Sequence, residues 1–106
     1  MLLTTTPTIE NKKISVYYGI VSGDITAGMH LGKDIAAGFA NYFGGRSKSY
    51  EKELTKAREE TFRQIETQAS KLGANAVVGM KTDYKLTGAN GGMLLVSSLG
   101  TAVYAL

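Results

Sequence analysis

The chain has 106 residues, 43% of them apolar and 20% charged, with twelve Lys/Arg against nine Asp/Glu and a net charge of +3. That is the size of one domain (1–106), and it is too apolar and too weakly charged for a disordered chain. It has no cysteine, which excludes disulfides, thiolate nucleophiles and cysteine-ligated zinc or iron–sulfur sites, and fits a reducing cytoplasm.

Met1 to Pro7 carries no basic segment followed by a long apolar stretch, so no secretory leader is expected. No apolar run approaches the roughly 18 residues of a membrane span. Thr4 to Thr8 is rich in β-branched residues, but Pro7 restricts it to a sheet edge or an extended arm.

Ile14 to Thr26 reads as a strand. Ile14, Val16, Tyr18 and Ile20 alternate with Ser15, Tyr17, Gly19 and Val21, and both sets hold large apolar groups. Such a strand wants both faces covered. Met29 to Phe43 reads as a helix on the spacing of Leu31, Ile35, Phe39 and Tyr42/Phe43. Gly44-Gly45 would end it.

Ser49 to Leu72 is the strongest helix. Tyr50, Leu54, Ala57, Thr61/Phe62, Ile65, Ala69 and Leu72 form one stripe. Of these, Leu54, Phe62, Ile65 and Leu72 are expected to face the sheet. The polar face holds Glu51, Lys52, Lys56, Glu59, Glu60, Arg63 and Glu66, with Glu59 and Arg63 spaced for an i, i+4 ion pair. Ser47 or Ser49 can cap its start and Gly73 closes it.

Asn75 to Tyr84 reads as a strand with Ala76, Val78, Met80, Thr82 and Tyr84 on one side. Thr87 to Gly92 is a turn cluster in which Asn90-Gly91 signals a hairpin, and Met93 to Tyr104 returns. Gly19, Gly79 and Gly100 interrupt strands, where glycine marks a bulge or a close backbone approach.

These elements predict a two-layer α+β subunit. A right-handed crossover makes the first two main strands parallel, with the third between them, in order 1-3-2. The long helix covers one sheet face. The other face keeps branched side chains, and both outer strands have open edges, so a homo-oligomer is expected. The partner is the chain itself. No membrane partner is expected, and no nucleic acid either, because most basic residues alternate with glutamates along one helix.

Certain segments then point to a family. They are Thr5-Thr6-Pro7-Thr8, Gly19-Ile20-Val21-Ser22-Gly23, Gly44-Gly45-Arg46-Ser47 and Tyr50-Glu51-Lys52-Glu53-Leu54. Ala57-Arg58, Leu72-Gly73-Ala74-Asn75-Ala76-Val77-Val78-Gly79 and Gly100-Thr101-Ala102-Val103 extend the match nearly end to end. Together they resemble the YbjQ-like family of uncharacterised bacterial proteins, whose label is heavy-metal-binding. The resemblance implies a dodecin-like β-α-β-β subunit in a pentameric ring. It implies no activity, and its label alone raises a divalent metal ion as a cofactor. Asp24 stands where the family pattern has Glu after Gly23, which keeps the charge.

The residues themselves imply no cofactor. A transition-metal site needs three or four converging ligands. The chain has one histidine, His30, with Asp34 one helical turn on. Two ligands do not make a site within a subunit, although a ring could complete one if His30 lay near its axis. No nucleophile elbow links the Ser, His and Asp residues, and Glu51, Glu53, Glu59 and Glu60 read as solvated charges, so no enzyme is expected. An enzyme site shared between subunits would leave no mark in one chain. Gly44-Gly45-Arg46-Ser47, directly before the long helix, is a candidate anion site, since free amides and a guanidinium attract phosphate. The competing reading is a turn in which Gly44 ends one helix and Ser47 caps the next.

Overall fold

The computed structural model describes residues 1–27, 48–87 and 93–106. They form β1 (Leu2–Leu3), β2 (Ile14–Ala27), α1 (Lys48–Leu72), β3 (Ala76–Thr87) and β4 (Met93–Ala105). The helix expected over Met29–Phe43 and the turns at Gly44–Ser47 and Asn90-Gly91 lie outside the described residues.

The sheet has four strands in the order β1-β3-β4-β2, not three in the order 1-3-2. The three long strands keep their expected neighbours: β4 lies between β2 and β3 and is antiparallel to both. The added strand is Leu2–Leu3, parallel to β3 through Leu2↔Ala76 and Leu3↔Val77. Two residues are too few to show a period, so this strand has no sequence signal.

The N-terminal arm continues from β1 into a kink of β3. Gly79 has φ of 63° and the β3–β4 register shifts between Val78 and Lys81. Backbone amides released by this bulge are taken up by the arm: Gly79 N–H donates to Thr6 O (2.9 Å) and Met80 N–H to Thr4 O (3.0 Å). The bulge overturns the expected single face of Ala76, Val78 and Met80. Val77 and Met80 now join the helix-side core with Val21, Ile65, Ala69, Ala74 and Ala102. Ala76 and Val78 pack with Val103 in a separate cluster, flanked by Ile9 and Ile14. One inserted residue exchanges the faces of everything beyond it.

The buried line of α1 is Ala57, Thr61, Ile65 and Ala69. Leu54 and Phe62 flank it, half-buried against the core. Leu72, expected to face the sheet, is 46% exposed. The buried line advances four residues at a time and its next step falls on Gly73, exposed and past the helix end, so Leu72 points about 100° away from that line. The helix ends there in a Schellman arrangement: Gly73 N–H donates to Ser70 O (3.1 Å) and Ala74 N–H to Ala69 O (3.0 Å), with Gly73 at φ 91°. Arg63 pairs with Glu60 and not with Glu59, and Lys56 pairs with Glu53. Both are i, i+3 pairs on the solvent side, where such contacts contribute little.

Two polar features seat α1 on the sheet. Thr61, fully buried, donates its hydroxyl proton to Arg58 O (2.6 Å). Its one proton is then used, so Ser98 donates to Thr61 Oγ1 (2.7 Å) and Thr82 to Ser98 Oγ (2.9 Å). This hydroxyl chain crosses from helix to sheet with a fixed direction. On the flank, Gln64 and Gln68 reach the backbone of β2. Gln64 accepts from Asp24 N–H (2.9 Å) and donates to Asp24 O (3.1 Å). Gln68 accepts from Ser22 N–H (3.2 Å) and donates to Ser22 O (2.7 Å).

Candidate functional site

None of the residues singled out for chemistry can be placed. His30, Asp34 and Gly44-Gly45-Arg46-Ser47 all lie outside the described residues. Among the described residues no three His, Cys, Asp or Glu side chains converge on one point. Glu51 and Glu59 are exposed, while Glu53 and Glu60 are engaged by Lys56 and Arg63. An open recess of about 580 Å³ along the N-terminal arm is lined by residues between Leu2 and Glu10, with Glu10 its only charged group. A lone carboxylate there has no partner for acid–base work.

The feature that stands out is the sheet face opposite α1. Registers place Tyr17 beside Val103, Ile20 beside Thr101, and Leu99 between Ser22 and Lys81. Residues paired across strands share a face. Ile9 and Ile14 cover the Val103 end of this face. Beyond their reach Tyr17 is 65% exposed, Ile20 80% and Leu99 47%. Farther along, the face turns polar. Asp24 and Asp83 flank Ser97 on neighbouring strands, and Ser97 donates to Asp24 Oδ1 (2.6 Å). Lys81 and Lys85 lie on either side of Asp83 on β3. An isoleucine four-fifths exposed in mid-strand gains nothing in an isolated subunit. An apolar patch rimmed by polar and charged groups has the make-up of an interaction surface.

The apolar content of both alternating sets of β2 was the sequence signal for this face, but the alternation itself fails: the register shift between Tyr17 and Gly19 puts Tyr17 and Ile20, expected on opposite sides, on one face. Leu99 could be placed on it only once the register of β4 was known. Gln64 and Gln68 were missed, although they sit four apart beside the apolar stripe and are the only glutamines in the chain.

The model of the YbjQ family, described as "Putative heavy-metal-binding", matches residues 1–105. The chain belongs to the YbjQ family. Its relatives include a UPF0145 protein of Clostridium botulinum (strain Eklund 17B / Type B), 52% identical over 98% of both chains. A UPF0145 protein of Clostridium kluyveri is 53% identical over 97% of both. A third, from Listeria welshimeri, is 52% identical over 97% of this chain and 94% of its own. Among solved structures, a Pediococcus pentosaceus protein of unknown function from the DUF74 family superposes with a TM-score of 0.68. That match covers 98% of this chain and 96% of the other at 17% identity, so it speaks to the shared fold alone. No described helix of this YbjQ chain is long and apolar enough to cross a membrane.

Proposed function

We propose that this YbjQ-family chain is a homo-oligomeric binding or scaffold protein of the cytoplasm and not an enzyme. The observation that carries the reading is the exposure of Tyr17, Ile20 and Leu99 on the helix-free face. Burying one such side chain contributes about 1.5–3 kcal/mol, and a closed assembly repeats that gain at every interface. The subunit number of five rests on the family resemblance. Light scattering after size exclusion should give about five chain masses for the wild type. Ile20→Asp, which sets a charge in the patch, should shift the protein to smaller species while its far-ultraviolet circular dichroism is unchanged. A wild-type monomer stable at micromolar concentration would sink the proposal.

The family's description favours a second reading, heavy-metal binding with ligands shared between subunits. With no cysteine and one histidine per chain, a tight zinc or copper site must draw on several copies. The scaffold reading expects untagged protein to show no stoichiometric sub-micromolar zinc or copper binding by calorimetry. Tight binding that His30→Ala abolishes would carry the metal reading instead.

A further inference from the structure

Among the described residues β2 is the last strand of the sheet, and every second residue of such a strand turns both its N–H and its C=O outward. At Ser22 and Asp24 these groups are already taken. Gln68 and Gln64 each give one carbonyl acceptor and one amide donor, so four hydrogen bonds of 2.7–3.2 Å run along the edge. A primary amide offers the same donor and acceptor as a peptide group. The spacing also matches. Four helical residues advance about 6 Å, and two strand residues about 6.8 Å. Side chains at i and i+4 on α1 therefore meet backbone at j and j−2 on the antiparallel β2 with little distortion. Continuing the same steps leads to Glu60 opposite Thr26 and to Leu72 opposite Ile20, neither of which carries an amide.

We propose that Gln64 and Gln68 act as a surrogate neighbouring strand that closes the edge of β2 at Ser22 and Asp24 to strand addition by another copy of this chain. An incoming strand would have to displace all four bonds before making its own. Copies of the chain then meet through side chains and not by continuing the sheet across this stretch. The closure does not depend on the apolar face being an association surface, because it concerns backbone groups within one subunit.

Hydrogen exchange of the Ser22 and Asp24 amides, read by NMR, tests this directly. Both should exchange at least about tenfold faster in the Gln64→Ala/Gln68→Ala variant than in the wild type. The variant should also gain mass beyond the wild-type species, as strand-to-strand association requires. Exchange rates within twofold of wild type, or an unchanged mass distribution, would overturn the proposal. A measurement on the wild type stands even if the variant does not fold. The side-chain amide protons of the two glutamines should exchange with water well below the rate of a free glutamine amide. Free-like rates for both would refute the closure.

Discussion

Ile65→Ala should lower stability by about 2–5 kcal/mol, a large part of the 5–15 kcal/mol typical of a domain. Ile65 is fully buried and packs at the junction of helix and sheet with Val21, Val77 and Met80. The other buried residues of that cluster are Ala69, Ala74 and Ala102, whose side chains are too short to move into the space, and Leu3, Tyr18 and Phe62 pack against it from its rim. The loss is therefore the transfer term of the deleted carbons plus a cavity term of about 24 cal/mol per Å³ left empty, smaller to the extent that Met80 and Phe62 relax inward. A reversible urea titration at fixed protein concentration should show a lower midpoint with the slope unchanged. A loss below about 1 kcal/mol would place Ile65 outside the core. Leu72→Ala, in the same helix but 46% exposed, serves as the comparison and should cost clearly less.

That contrast shows what periodicity conveys and where it ends. Four-residue steps along α1 identify Ala57, Thr61, Ile65 and Ala69, because a helix repeats its facing residues regularly and nothing interrupts this one. Leu72 breaks the pattern at the final turn, where the four-residue step from Ala69 falls on Gly73, itself exposed, and burial resumes at Ala74. In β3 the alternation itself is interrupted. A reader of sequence assigns Ala76, Val78 and Met80 to one side, whereas the bulge at Gly79 puts Val77 and Met80 together. The glycine announces that something happens there. It does not say that the face changes, since a close approach without a register shift would look the same. Gly100 shows both at once: it lies opposite that bulge, between the pairs Val78↔Thr101 and Lys81↔Leu99, and a Cβ there would come within 2.7 Å of Val77 Cγ1.

The candidate interaction face was legible in part for a related reason. β2 carries large apolar groups on both alternating sets, so some had to lie away from the helix, but the register shift between Tyr17 and Gly19 mixes the sets: Tyr17 and Ile20 share the helix-free face and Tyr18 joins Val21 on the helix side. Which groups stay uncovered depends on the N-terminal arm, which brings Ile9 over Val103 beside Ile14 of β2 and leaves Ile20 bare. The arm's path follows from backbone hydrogen bonds at the Gly79 bulge, and backbone groups carry no residue-specific pattern. The same holds for the β2 edge. Gln64 and Gln68 read as polar helix positions, and only the antiparallel placement of α1 beside β2 turns their amides toward Ser22 and Asp24.

Gly23→Ala tests how tightly α1 is seated and should destabilise by about 1–3 kcal/mol, or more if the helix cannot shift. A Cβ at position 23 would stand 2.4 Å from the carbonyl oxygen of Thr61, and 3.0 Å from both its carbonyl carbon and its Cα. All three are backbone atoms inside a helix, so no rotamer change relieves the contact. Moving β2 away would strain its pairing with β4 at Gly23↔Ser98 and the glutamine bonds to Ser22 and Asp24. Moving α1 away would stretch the Thr61–Ser98 hydroxyl bond in a dry core, where an unpaired hydroxyl costs about 1–3 kcal/mol. Ser22→Ala is the control: its side chain is exposed and its backbone bonds remain, so its effect should stay within about 0.5 kcal/mol. Adding Thr61→Ala to Gly23→Ala should not restore stability, because shortening the Thr61 side chain leaves the obstructing backbone in place. Recovery in the double variant, or a Gly23→Ala loss no larger than that of Ser22→Ala, would show that α1 rides higher over β2 than the 2.4 Å approach requires.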